Sequence, residues 1–165
     1  MKKILFLAFI FSSCSSIKNV DEQKTTINSL LNNWHKAAAN ANFNEYFNML
    51  SPNAIYIGTD ATENWTKPQF EAFAKPYFDK GKAWSFTALE RNIYFSKDKK
   101  TAWFDELLNT QMKICRASGV LVLTDGSWKI SHYVLSMTIP NDTTNEVIKI
   151  KSAIENPLIE KLQKK

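Results

Sequence analysis

Residues that could carry chemistry cluster first in the stretch IYIGTDATENW, residues 55–65. Three strand-forming residues lead into Gly58 and Asp60, and two aromatic residues, Tyr56 and Trp65, flank them. A carboxylate beside aromatic rings can have a raised pKa, so Asp60 is a candidate general base. The same stretch also suits a tight turn, in which Gly58 frees the backbone and Asp60 caps it. The residues leave both interpretations open, and the turn is the simpler one.

Two further candidates lie in the second half of the chain. His132 could act as a base near neutral pH, or it could form a hydrogen bond within a sheet. Arg116 could bind a ligand carboxylate, or it could pair with Asp105 or Glu106. Asp105 and Glu106 are adjacent, and neighbours on a strand point to opposite faces. They therefore cannot act as one acid/base dyad, and at most one of them faces an enclosed site.

Spacing groups the candidate side chains by face, because residues two apart on a strand share a face. Trp103 then shares a face with Asp105, and Phe104 shares the other with Glu106. On the last strand the spacing predicts one shared face for Trp128, Ile130, His132, Val134 and Ser136. Parity does not say which face is internal, and a single bulge would swap the sets. The candidate ligand-binding residues are Trp34, Tyr56, Trp65, Trp103, Asp105, Arg116 and His132.

The first residues have the layout of a bacterial secretory signal. A basic start precedes an unbroken apolar run at 4–11, which is too short to span a bilayer. Two serines then precede Cys14, as in a lipobox, although Phe11 stands where leucine is usual. We expect a signal peptide over 1–13, acylation of Cys14 and a tether over 14–24, with plain secretion or a buried N-terminal strand as alternatives. This predicts a lipoprotein of the bacterial cell envelope, periplasm-facing or on the outer surface, that contacts the membrane only through its lipid.

Metal, phosphate and serine-hydrolase motifs find no support in the sequence. His35, His132 and one free cysteine do not supply a metal-ligand set. Acylation of the first cysteine leaves Cys115 without an intramolecular partner, so we expect a buried thiol there. With four glycines, the chain has no glycine-rich phosphate loop and no G-x-S-x-G motif, so no cofactor and no metal are predicted. The net charge of +5 is spread along the chain, which argues against nucleic acid as a partner.

The elements that position these residues begin with helices. Thr26 is the predicted N-cap of a first helix, whose apolar residues recur at helical spacing. A short second helix is predicted to include Leu50 and to stop at Ser51-Pro52. A first strand follows at 54–57. Thr66-x-x-Gln69 is a capping box for a third helix. Pro76 should kink or end this helix.

From Trp84 the apolar period changes to two, which is typical of strands. The predicted strands span 84–96, 101–113, 114–124 and 127–139, with Asp125-Gly126 as a hairpin turn. Trp128 should be buried, with Trp103 close by. A capping box at Thr143-x-x-Glu146 should start a short C-terminal helix that Asn156-Pro157 ends before a basic tail.

Helices followed by an antiparallel meander predict a single α+β domain over 25–140, with a C-terminal helix and tail over 141–165. The sheet is long and aromatic, so it should curl around the three helices and cover its apolar face. A strongly curled sheet that helices close at one end would enclose a conical cavity.

Three segments carry a family resemblance: INSLLNNWHKAAANANFNEYFNMLSPNAIYIG, KTAWFDELLNT and GVLVLTDGSWKISHYVLS. In this order they resemble the SnoaL-like branch of the nuclear transport factor 2-like superfamily, over about residues 25–140. The resemblance implies a cone-shaped fold that hosts isomerases, cyclases, dehydratases and binding modules. In the steroid isomerases of the superfamily a catalytic carboxylate sits near the position of Asp60. In its kinase association domains the last strand carries two histidines, but here His132 is followed two residues later by Val134.

Three hypotheses about function follow. The first is a lipid-anchored module that binds a small apolar or aromatic molecule in the conical cavity, as the aromatic content of 13% suggests. The second is an enzyme of the ketosteroid isomerase or SnoaL cyclase type, with Asp60 or His132 as its base and Arg116 as an orienting group. The third is a structural module that forms a homodimer through the open face of its sheet.

Overall fold

A computed structural model of the chain describes residues 19–164, which form one α+β unit. The helices are α1 (Val20–Ala39), α2 (Phe43–Asn48), α3 (Lys67–Asp79) and α4 (Thr144–Gln163), and a 3-10 turn spans Asn141–Thr143. The strands are β1 (Leu50–Ile57), β2 (Asn64–Thr66), β3 (Phe86–Phe95), β4 (Thr101–Thr110), β5 (Lys113–Thr124) and β6 (Ser127–Met137). Over the described part of the chain, no helix combines the length and apolarity that crossing a membrane requires.

The strands form one curled sheet with the order β2-β1-β6-β5-β4-β3, which leaves the sheet open between its two edge strands. Strand β1 runs parallel to β6, and the other neighbours are antiparallel. Helices α1, α2 and α3 pack in the concave side of the sheet. The predicted α+β fold with a curled sheet around N-terminal helices is therefore confirmed.

The concave face of the sheet forms the core. Along β4, buried Phe104, Glu106 and Leu108 alternate with the more exposed Trp103 and Asp105, as the period of two predicts. Adjacent carboxylates thus do point to opposite faces. Fully buried aromatic side chains from helix and strand meet at the centre of this core, and they include Trp34, Tyr46, Tyr133, Phe70 and Phe104.

A bulge in β6 changes which side chains face inward. Val120 pairs with His132 while Leu121 pairs with Ile130, so one extra residue, Ser131, is accommodated in β6. Trp128 and Ile130 therefore share the inner face with Tyr133 and Leu135, whereas His132, Val134 and Ser136 take the outer face. The predicted shared face of Trp128 and His132 is wrong for this reason.

The bulge also explains Gly119 on the neighbouring strand. A Cβ atom at this position would lie 2.6 Å from the His132 carbonyl oxygen and 2.6 Å from an atom of the Phe104 ring. The two strands and the ring approach each other so closely here that only a residue without a side chain fits.

Helix α1 begins earlier than the sequence predicts. Asn19 is its N-cap, and Thr26 lies inside the helix, where its hydroxyl donates to the Glu22 carbonyl oxygen at 2.8 Å. Gln23 is buried four residues before Ile27, so the packed face of the helix extends into the predicted tether. Residues 20–24 are accordingly helical, whereas the predicted signal peptide and Cys14 lie outside the described residues.

Strand β1 also begins before its predicted start. Leu50 opens the strand rather than ending α2, and the strand continues through Ser51 and Pro52. The pairing of β1 with β6 is irregular between Leu50 and Ile55, so Pro52, which has no N–H to donate, lies where the ladder is interrupted. Strand β2 is a three-residue element that was not predicted.

The ends of the other elements differ in smaller ways. The capping box of α3 is confirmed, because the Thr66 N–H donates to Gln69 Oε1 at 2.9 Å, but the helix continues past Pro76 to Asp79. Helix α4 likewise continues past Pro157 and has no buried residue. Its predicted capping box is wrong, since the Thr143 side chain makes no capping bond and donates to the Pro140 carbonyl instead.

Candidate functional site

An aromatic cavity of about 130 Å³ opens where β1 ends, beside β2, α3 and the β4–β5 turn. We call it the mouth cavity. Six of its lining side chains are aromatic and its other members are mostly small or apolar: Tyr56, Gly58, Thr59, Glu63, Trp65, Phe70, Phe73, Trp84, Phe86, Gln111, Met112 and Leu135. Two of the predicted ligand-binding residues, Tyr56 and Trp65, meet here.

Stacked rings build the walls of the mouth cavity. Tyr56 of β1 stacks on Phe70 of α3 with ring centroids 3.8 Å apart. Trp65 of β2 stacks on Phe73 at 4.4 Å, one turn further along α3. The spacing of the aromatic residues on α3 therefore matches the rings presented by the two strands, and the rings pack on one another without a ligand.

The acidic stretch 55–65 contains the end of β1, a hydrogen-bonded turn over 58–63 and the start of β2. The exposed Asp60 carboxylate accepts the Thr62 N–H at 2.9 Å and the Thr62 hydroxyl at 2.6 Å. These hydrogen bonds hold the pKa of Asp60 below its ordinary value of 3.8. A general base at neutral pH needs a shift in the opposite direction, so the geometry supports the turn interpretation of Asp60.

The acid that reaches the mouth cavity is Glu63, which the sequence reasoning did not single out. Its carboxylate accepts the Asp60 N–H through Oε2 at 3.1 Å, and its backbone closes the turn with Gly58 at 2.9 Å. A Cβ atom on Gly58 would overlap Oε2 of Glu63. The absence of a side chain on Gly58 leaves room for the Glu63 carboxylate. The sequence feature that could have identified Glu63 is a glycine and a carboxylate at the two ends of a tight turn.

Deeper in the cone, a buried carboxylate is held by three partners. Glu106 has no exposed surface. His35 Nε2 lies 3.0 Å from its Oε1, and the Tyr133 hydroxyl donates to the same oxygen at 3.4 Å. Arg91 donates to Oε2 through Nε at 2.8 Å and places Nη2 at 2.6 Å from it. Glu106 thus pairs with Arg91 and His35, and not with Arg116.

The charge on Glu106 is stabilised in spite of its burial. Burial alone raises the pKa of a carboxyl group, but the hydrogen bond and charge of His35 and the charge of Arg91 together lower the pKa of Glu106 below 4.5. Arg91 is itself held by α1, since it donates to the Asn28 side-chain oxygen at 3.2 Å and to that of Asn32 at 2.9 Å. The ionised network therefore joins α1 to the sheet.

A second cavity, of about 380 Å³, lies between α1 and the start of β3. Its lining combines polar and apolar residues: Asn32, His35, Lys36, Ala39, Ser85, Phe86, Thr87 and Ala88. Phe86 lines both cavities and lies edge-on to the His35 ring at 5.8 Å between centroids. Phe86 therefore contacts both the mouth cavity and a member of the ionised network.

The structure does not bring the remaining predicted site residues to the mouth cavity. Trp34 is buried in the core, stacked on Tyr46 at 4.9 Å. Trp103 is 46% exposed on the outer face, so the prediction that it lies close to Trp128 is wrong. The other three occupy the same outer face: Asp105, Arg116 and His132. The bulge in β6 places His132 there, and strand parity places the others.

Cys115 is a free thiol with no exposed surface, as predicted, and its sulfur lies 3.5 Å from the Thr110 hydroxyl. Across residues 19–164, no group of three or more histidine, cysteine, aspartate or glutamate side chains has the arrangement of a metal site.

Comparison with known proteins agrees with this architecture. The model of the SnoaL-like domain family matches residues 27–140. A nuclear transport factor 2-like (NTF2-like) protein of unknown function from Pseudomonas putida KT2440 superposes with a TM-score of 0.64 at 12% identity, covering 76% of this chain and 94% of its own. No curated protein matches the chain.

Two other solved structures show how widely this fold is used. A candidate dehydratase of the NTF2-like family from Streptomyces avermitilis has a TM-score of 0.64 at 10% identity, covering 74% of this chain and all of its own. The CaMKII association domain from C. elegans has a TM-score of 0.59 at 18% identity, covering 71% and 97%. Identities this low show a shared fold, whereas the family model covers most of the chain. The chain belongs to the SnoaL-like domain family, with the NTF2-like fold.

Proposed function

We propose that this protein is an exported, lipid-anchored module that binds a single-ring aromatic or similarly compact apolar molecule in the mouth cavity. The observation that carries the proposal is the cavity of about 130 Å³ with six aromatic side chains in its lining. Apolar, preformed and partly enclosed sites of this kind are typical of small-molecule binding.

The volume sets the size of the ligand. An apolar protein cavity of about 150 Å³ is known to hold benzene, so about 130 Å³ suits one ring and excludes a fused steroid skeleton. Burying a single ring removes roughly 150–250 Å² of apolar surface from water, worth about 4–6 kcal/mol. The expected Kd therefore lies between about 1 mM and tens of micromolar.

The test is a titration of the protein with phenol or toluene, followed by tryptophan fluorescence and by NMR. Trp65 and Trp84 line the cavity, so both signals should respond to ligand. Trp65→Ala should weaken binding about tenfold or more, because the ring loses a stacking surface. Trp103→Ala, on the outer face, is the matched control and should bind like the natural chain. Equal binding by both variants would place the ligand elsewhere.

The enzyme hypothesis with Asp60 or His132 as the base has less support from the geometry. A reaction of the isomerase type needs a base that faces the bound molecule. Asp60 is exposed and bonded within its turn, and His132 lies on the outer face. Glu106 is buried and already paired with His35 and Arg91. Ligand binding is the function that the arrangement supports best.

A homodimer through the sheet is a second candidate, favoured by one observation. Tyr94 and Trp103 stack on each other on the outer face at 5.9 Å between ring centroids, and each is nearly half exposed. Exposed aromatic pairs on an open sheet are typical of interaction surfaces. Sedimentation analysis tests this: Trp103→Glu should convert a dimer to a monomer, and an unchanged monomeric mass in both proteins would dismiss it.

The anchor is the part of the proposal that depends on the N-terminal sequence. Cys14 follows two small residues and an apolar run, and acyl chains on it would supply the membrane attachment. Cys14→Ser should leave the protein uncleaved or soluble, and radiolabelled palmitate should be incorporated only by the natural chain. Equal labelling of both proteins would reject lipidation at this residue.

A further inference from the structure

We propose that the mouth cavity is selective for a compact organic cation, an ammonium group carried on a single ring or short apolar chain, with the ammonium held against Glu63. This inference rests on the proposed function, since it assigns the class of molecule that the same cavity takes.

Charge is the first line of support. Among the residues that line the mouth cavity, Glu63 is the one that carries a charge at neutral pH. Its Oε2 accepts the Asp60 N–H, and its Oε1 has no hydrogen-bond partner within residues 19–164. The ion pairs of the described chain engage other acids, including Glu71 with Lys67 and Glu155 with Lys151. A half-buried carboxylate therefore presents a free oxygen and an uncompensated negative charge to the cavity.

The field of this carboxylate reaches into the cavity. The pKa of the Tyr56 hydroxyl is raised first by burial and then by the negative charge of Glu63. Tyr56 lies on β1 and Glu63 in the turn between β1 and β2, and both line the cavity. A cation between them would be attracted, and an anion would be repelled by the same charge.

The aromatic walls give the second line of support. The face of an aromatic ring carries partial negative charge, so several rings around one space attract a cation together. Trp65, Phe73 and Trp84 line the cavity that Glu63 borders. Cages of aromatic rings are an arrangement by which proteins recognise quaternary ammonium groups, and here a carboxylate borders the ring-lined cavity. A neutral hydrocarbon would gain from the rings but not from the carboxylate.

Position keeps Glu63 at the edge of the cavity. Gly58 provides the space under its carboxylate, and the Asp60 N–H holds one of its oxygens. The carboxylate is thus oriented before a ligand binds, which reduces the entropy that ordering it would otherwise cost.

The test compares two ligands of the same shape, benzylamine and benzyl alcohol, by NMR titration of the full chain at pH 7. Benzylamine should bind at least about tenfold more tightly, since a hydrogen bond to a charged group outweighs a neutral one by that factor or more. Added salt should weaken benzylamine and leave benzyl alcohol unchanged. Glu63→Gln should bring the two affinities within about twofold by weakening benzylamine alone, because the ammonium loses its charged partner. Glu90→Gln, an exposed acid on β3, is the matched charge control and should keep the preference.

The outcomes separate the two proposals. Equal affinity for both ligands, or tighter binding of benzyl alcohol, would overturn the cation assignment and keep the ligand-binding function. Binding of neither ligand would overturn both. A preference for benzylamine that survives Glu63→Gln would also overturn the assignment, because the cation would then be held by another group.

Discussion

His35 Nε2 lies 3.0 Å from Glu106 Oε1, across 71 positions of the chain, and Arg91 holds the other carboxylate oxygen. This contact ties the C-terminal half of α1 to strand β4. Glu106 accepts at both oxygens, so His35 donates to it through Nε2. The network helps to fix how the helix lies on the sheet, because His35, Arg91 and Glu106 meet only in this alignment.

The first prediction concerns this network. Glu106→Gln should lower the free energy of unfolding by about 3–5 kcal/mol, since Arg91 is left without a countercharge in a buried site. Asp105→Asn, one residue earlier and on the outer face, should change it by less than about 1 kcal/mol. Urea denaturation measures both. A small loss in Glu106→Gln would mean that Arg91 can reach water.

The second prediction concerns acid. The pKa of Glu106 in the folded chain lies below its ordinary value of 4.5. The stability contributed by this group is therefore present above about pH 4.5 and lost as the pH falls through the folded-state pKa. Urea midpoints between pH 3 and pH 7 should show this decline, and it should be smaller in Glu106→Gln. An identical decline in both proteins would assign it to other carboxylates.

The third prediction concerns the turn that borders the mouth cavity. Asp60→Asn keeps an oxygen that can accept from Thr62, so the melting temperature should fall less than in Glu106→Gln. The Asp60 pKa measured by carboxyl NMR should lie below 3.8, as its bonds to Thr62 require. A value above about 6 would restore Asp60 as a candidate base.

The fourth prediction uses two tryptophans on opposite faces of the sheet. Trp128 is 6% exposed and packs edge-on to Phe95, so Trp128→Ala should cost about 3–5 kcal/mol. Trp103 is 46% exposed and stacks only on one side, against Tyr94, so Trp103→Ala should cost much less in the monomer. Thermal unfolding compares them. Equal losses would indicate that the outer face is covered in solution.

Patterns of period two predicted the sheet well, because alternation is a local property. The Asp125-Gly126 turn is confirmed, with positive φ at both residues as a two-residue hairpin requires. Trp128 was correctly expected to be buried. By contrast, the bulge at Ser131 depends on how β5 and β6 pack together near Gly119. The residue types of β6 alone do not predict it.

The candidate site was harder to predict from the sequence, because it depends on contacts between residues that are distant in the chain. Tyr56 and Trp65 could be named because they flank a glycine turn, and they do meet. Glu63 was overlooked beside Asp60, which has the better turn chemistry. The pairing of His35 with Glu106 depends on how α1 lies across the sheet, and a polar residue on a buried face gives only a weak indication of a distant partner.

The parallel pairing of β1 with β6 has a consequence for folding. Strand β1 comes from the first half of the chain, yet its long neighbour in the sheet is the last strand to be synthesised. Helix α1, β1 and the turn after it can reach their final positions only once residues 127–137 are present, which makes this closure slow and dependent on the whole chain. A polypeptide that is still growing therefore holds its mouth cavity unformed, and truncation before β6 should remove the cavity along with the strand.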